Sequence, residues 1–156
     1  MQPDPNASLD QFARITTIIA FAVAAAVPLY VLVAWVVAPQ DPTMAGDRGL
    51  VGTLAIALGV VAVGTLIAAQ GLFRTRVAAA RRQATPEQRL ATYRVAVIIA
   101  LALKESVAIY GLVLSLLDGD PLWAMGFGVV ALAAMTLSWP RRAEMEALAA
   151  EVPPIG

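Results

Sequence analysis

The chain has 156 residues, 60% of them hydrophobic and 14% charged, with 11 basic against 11 acidic side chains and a mean hydropathy of +0.76. That is too apolar for a water-soluble domain of this size and too evenly charged for a nucleic-acid binder, so a membrane protein with no nucleic-acid partner is expected. Cysteine and histidine are both absent, which excludes disulfides, thiolate nucleophiles, histidine-ligated zinc or haem and a Ser-His-Asp triad; no catalytic residue, metal or organic cofactor is expected, and the protein is read as not an enzyme.

Residues 1–14 read as a polar cytoplasmic arm in which Ser8 and Gln11 make a capping box that extends the first helix back into the cytoplasm. The first apolar run, 15–38, exceeds the h-region of a signal peptide and only Arg14 precedes it, so it is read as a retained span. Pro28 inside it removes a backbone donor and predicts a kink near Ala24. The second run, 50–73, carries Gly52, Ala55, Gly59 and Ala62 on one face, with Gly64, Ala68 and Gly71 continuing the theme, a pattern that permits close helix contact. An arginine-rich loop over 74–94 follows. Within it Thr85-Pro86-Glu87-Gln88 reads as an N-cap, a proline in the first turn and a capping-box glutamine, so helix three starts near Pro86, about 48 Å long and in the bilayer over 95–117. Its small and polar residues fall in two stripes, Ala100, Lys104, Ala108, Gly111 and Ser115, and Ala102 with Ser106. Asp120-Pro121 opens a fourth run, 122–139, after a turn short enough to force antiparallel packing. The tail, 140–156, contains a short surface helix with a solvated charged face.

The expected fold is therefore an all-α integral membrane protein, an antiparallel bundle of four transmembrane helices forming one domain over 15–139. No repeat relates its halves. Basic residues gather at Arg14, at Arg74, Arg76, Arg81, Arg82, Arg89 and Arg94, and at Arg141 and Arg142, whereas the other two loops hold Arg48 with Asp41, Asp47, Asp118 and Asp120. The positive-inside rule then puts both termini and the central loop in the cytoplasm, with Trp35 and Trp123 at the outer interface and Phe12, Phe73, Tyr93 and Trp139 at the inner one. The expected location is the bacterial cytoplasmic (inner) membrane. Partners are lipid, other copies or other membrane subunits, with the 74–94 loop open to anionic lipid or a soluble protein.

Glu105 stands near the centre of the third apolar run, directly after Lys104. An ionised side chain at mid-bilayer costs from about 2.5 to above 10 kcal/mol, so an intramembrane carboxyl points to function. Ser106 and Tyr110 share a neighbouring face, and their oxygens suit a hard cation or a protonated carboxyl. The alternative is structural: Lys104 and Glu105, within one chain or between protomers, specify helix or subunit assembly without ion transport.

The segment 49–117, with AQGLF, then RRQATPE, then ALKESVAIYGLVLSLL, resembles the hairpin of subunit c, the proteolipid of F-type rotary ATP synthases. The resemblance implies that Glu105 is an ion-binding carboxylate for a proton or sodium, that Ser106 and Tyr110 complete a sodium-type site, and that Gln70, directly before Gly71, is the glutamine of the first helix. Lys104 departs from the family, which has a small or apolar residue there, and the first and fourth helices lie outside the resemblance. The function expected is ion translocation or coupling within a membrane complex.

Overall fold

The computed structural model describes the backbone of residues 5–37 and 48–150 and the side chains of residues 9–37 and 49–150. The first four residues, the loop with Asp41 and Asp47, the end of the tail and the side chains of Ser8 and Arg48 lie outside the described residues. Within them the chain is all-helical, in the order α1 (Pro5–Val37), α2 (Arg48–Arg81), α3 (Pro86–Asp118), α4 (Leu122–Thr136) and α5 (Arg142–Ala150).

Three stretches are long and apolar enough to cross a membrane, Leu9–Val37, Gly49–Arg81 and Pro86–Asp118. At 1.5 Å per residue each is about 43–50 Å long, against a hydrocarbon core of about 30 Å. Their outward faces carry large aliphatic side chains, among them Val36, Ile56, Val60 and Ile67, the reverse of a water-soluble bundle. Helix α4 is shorter than the run from which a fourth span is expected. It holds 15 residues, about 22 Å, and then winds into i→i+3 turns in which Leu137, Ser138 and Trp139 donate to Ala134, Met135 and Thr136. Pro140 accounts for the exit, since the residue before a proline is pushed out of the α region.

Helix ends follow local chemistry. Thr85 is extended (φ −113°, ψ 148°) and its Oγ1 accepts the Gln88 N–H at 3.3 Å, with Pro86 in the first turn. Gly119 closes α3 at φ 75°, a conformation that suits a residue without Cβ, and donates to Ser115 O at 2.9 Å. Asp120 Oδ1 then accepts the Leu122 N–H at 2.9 Å, so residues 119–121 suffice to reverse the chain. Two expectations change here. Helix α1 extends back through the arm as expected but begins at Pro5, three residues ahead of Ser8, and runs through Pro28 without ending. Likewise α2 continues to Arg81, and the arginine-rich loop shrinks to a connector over residues 82–85.

Helix α3 is the hub. It touches every other helix, and 44% of its most apolar window is buried, against 17% for α1 and 11% for α2. Its buried residues recur every three or four positions, at Arg89, Tyr93, Ala96, Ala100, Lys104, Val107, Gly111 and Leu114. Helix α4 presents Ala124, Gly128, Ala131 and Met135. At the crossing a Cβ on Gly111 would lie 2.6 Å from Phe127 Cβ and 2.8 Å from Trp123 O, so α4 approaches this closely only because the residue is glycine. Gly128 faces Val27 and Val31 of α1. The glycines of α2 behave differently: Gly52, Gly59, Gly64 and Gly71 have open space where a Cβ would stand, so they do not serve close packing among the described residues. Ala102, read as part of a second packed stripe, is exposed.

One end of the bundle collects the start of α1, the α2–α3 connector and α5. Arg142 pairs with Asp10 at 2.9 Å and Glu146 at 2.8 Å; the hydrogen bond to Glu146, with the charge of Asp10, holds this guanidinium above its ordinary range. Arg94 sits 4.4 Å over the Phe12 ring. Tyr93 donates to Glu144 at 3.0 Å, and buried Arg89 donates to Gln83 O at 2.8 Å and Leu148 O at 3.4 Å. Met145 and Leu148 are buried while Arg142 and Glu146 stay exposed, so α5 is a surface helix, charged face outward, whose apolar side docks on the bundle.

Candidate functional site

Consecutive residues on a helix point about 100° apart, and Lys104 and Glu105 therefore address different neighbours. Lys104 falls in the buried stripe and is 1% exposed. Its Nζ donates to Ser138 Oγ at 2.6 Å and to Gln70 Oε1 at 3.2 Å, and Ser138 Oγ donates to the same Gln70 oxygen at 3.3 Å. The ammonium and two neutral groups thus close a triangle that joins α2, α3 and the turn after α4.

Glu105 faces α1. It is half-buried, and its Oε1 accepts the Tyr30 hydroxyl at 2.6 Å. Among the described residues no cation lies within ion-pair distance of it, and the only side chain that hydrogen-bonds it is Tyr30. A carboxyl offers about four lone-pair sites, so one oxygen remains to take a proton or a donor from outside these residues.

The expected shell of Ser106, Tyr110 and Gln70 is not gathered around Glu105. Ser106 Oγ donates back to Leu103 O at 2.7 Å, the local bond that a helical serine readily makes. Gln70 belongs to α2, which meets α3 on the Lys104 side, and it is taken by that ammonium. Tyr110 packs half-buried at the edge of the core with no hydrogen bond to Glu105. Nor do Lys104 and Glu105 pair: Lys104 is enclosed by its own chain, which in this structure removes it from a bridge to a neighbouring protomer as well.

Two partners escape the sequence reading. Tyr30 is the sole polar side chain between residues 18 and 34, a signal that it needs a partner on another helix. Ser138, near the end of an apolar run, carries no such mark, and only the turn before Pro140 brings it to Lys104. Comparison with known proteins returns no match, whether among family models, curated proteins or solved structures.

Proposed function

We propose that the chain is an integral membrane protein of four spans, the fourth completed by the turn after α4, in which Glu105 takes up and releases a proton for ion translocation or coupling within a membrane complex. The observation that carries this is the division of the two charges. Lys104 is turned away and enclosed, while Glu105 is half-open and held by a single neutral hydroxyl. A carboxyl so placed can change its proton without breaking an ion pair. Sodium would need several oxygens around it, and Glu105 has one hydrogen-bonding neighbour, which favours the proton. The resemblance of residues 49–117 to subunit c supports the same reading. In it both termini and the α2–α3 connector face the cytoplasm of a bacterial inner membrane, because Arg14, Arg81, Arg82 and Arg142 belong to segments that meet at one end of the bundle. The non-catalytic chain works with other copies or other membrane subunits.

The test is reconstitution with its membrane partners into liposomes containing a pH-sensitive dye. The wild type is expected to support proton movement and to react with a carboxyl-directed carbodiimide at Glu105; Glu105→Gln is expected to assemble normally and lose both. Proton movement undiminished in Glu105→Gln contradicts the proposal.

A second reading has its own observation: the Lys104 triangle and the Tyr30–Glu105 bond each tie α3 to a neighbouring helix. On this reading the chain is a structural or accessory subunit and both charges serve assembly alone. It predicts that Glu105→Ala loosens assembly while no variant at 105 alters proton movement.

A further inference from the structure

Helices α2 and α4 both pack on α3, and toward the end of the bundle that carries the α3–α4 turn an open cleft of about 600 Å³ separates them. Its walls are apolar, with Leu66 on α2, Val107 on α3, and Phe127 and Val130 on α4; among the described residues that line it Asp120, at the turn, is the one charged group. Small-molecule sites have this make-up, an apolar lining with few polar groups, and volumes of about 300–1,000 Å³. Gly59 and Gly126 line the cleft as well, and a Cβ on either would meet nothing within 4 Å, so the space is open at both walls.

The charge at this end is one-sided. Asp120 Oδ1 accepts the Leu122 N–H at 2.9 Å, and Asp118 Oδ2 accepts the indole N–H of Trp123, a lining residue, at 2.8 Å. The second oxygen of each carboxylate has no hydrogen bond or ion pair among the described residues. The dipoles of the helix ends offset each other here, the C-terminus of α3 against the N-terminus of α4. Counted through the two connectors at this end and the residues that flank them, one arginine, Arg48, stands against Asp41, Asp47, Asp118 and Asp120, so the negative excess remains when every charge is included.

We propose that this cleft binds an amphiphilic organic cation, its apolar or aromatic body between α2 and α4 and its ammonium at Asp120 beside Trp123. From Gly59 to Leu66 the α2 wall runs about 10 Å, room for an elongated body. The ammonium gains the carboxylate and the indole together, since an aromatic face attracts a cation. A neutral apolar molecule would fill the cleft and leave the negative excess unmatched, whereas an ordinary phospholipid would bring its phosphate to an end that is already acidic. The proposal uses nothing from Glu105, which faces α1.

The experiment uses the full chain with Trp35→Phe and Trp139→Phe, which leaves Trp123, in the cleft wall, as the one tryptophan of three. In phosphatidylcholine nanodiscs it is titrated with the trimethylammonium derivative of diphenylhexatriene and, separately, with neutral diphenylhexatriene, two probes that share a rod-shaped body and differ in charge. Energy transfer from Trp123 is expected to saturate with the cationic probe and only to rise in proportion to probe with the neutral one. Asp120→Asn should weaken the saturable binding about fivefold, Gly59→Leu should abolish it by filling the cleft, and Asp10→Asn at the other end should leave it unchanged. Equal transfer from the two probes in the parent overturns the proposal, as does saturable binding that survives Asp120→Asn unchanged. Binding that survives Gly59→Leu also overturns it, because the acidic end would then be gathering cations without the cleft. Asparagine still caps a helix start, so the Asp120→Asn result stands even where Gly59→Leu fails to fold.

Discussion

The two sides of α3 that begin at Lys104 and Glu105 are built differently. On the lysine side the charge is buried, satisfied by two oxygens from two other elements, and continuous with the tight contact at Gly111. On the glutamate side there is one bond to one helix and partial exposure. Neighbours in sequence thus become opposites in environment, and the difference separates a charge enclosed by partners from one left partly open to its surroundings. Intramembrane charge alone does not announce function; the supply of partners decides which charge is structural.

Changes on the lysine side should therefore cost the most stability. Removing both partners in Gln70→Leu/Ser138→Ala leaves a buried ammonium without compensation and is expected to destabilise by about 3–5 kcal/mol, whereas Lys104→Met, which removes the charge itself, should be close to neutral; reversible unfolding in mixed micelles distinguishes them. A result in which Lys104→Met is the worse of the two breaks the comparison. Gly111→Ala comes next, at about 1–3 kcal/mol, because its Cβ meets Phe127 and the Trp123 carbonyl. On the glutamate side Tyr30→Phe removes one interhelical hydrogen bond, worth about 0.6–1.7 kcal/mol. Gly59→Ala on α2, where nothing stands within 4 Å, should change stability by less than about 0.5 kcal/mol; a larger loss would show that α2 packs tightly against something beyond this chain.

Much of the frame was legible because its signals are local. Long apolar runs gave the three long helices, Thr85-Pro86 gave the start of α3, and Asp120-Pro121 gave the short reversal into α4, whereas Gly119 carried no reading of its own. The buried stripe through Ala100, Lys104, Ala108, Gly111 and Ser115 was legible as well, since 3.6-residue periodicity marks a face. What periodicity does not reveal is which neighbour covers a face. Small residues on α2 and α4 look alike in sequence, yet Gly128 is packed against α1 and Gly59 against nothing. The site failed for the same reason: proximity on α3 suggested Ser106 and Tyr110 as partners of Glu105, whereas the partner comes from α1, 75 residues away. The docking of α5 was missed because Met145 and Leu148 are only two apolar residues on a short charged helix.

The central claim is that the Glu105 carboxyl exchanges its proton while Lys104 remains locked. Infrared difference spectroscopy of the protein in lipid, across a pH series, observes that carboxyl directly. The account predicts a protonated-carboxyl stretch that comes and goes reversibly, disappears in Glu105→Gln, shifts in frequency in Tyr30→Phe and is unmoved by Arg14→Gln. A spectrum in which no carboxyl band depends on Glu105 at any pH at which the protein stays folded would contradict it.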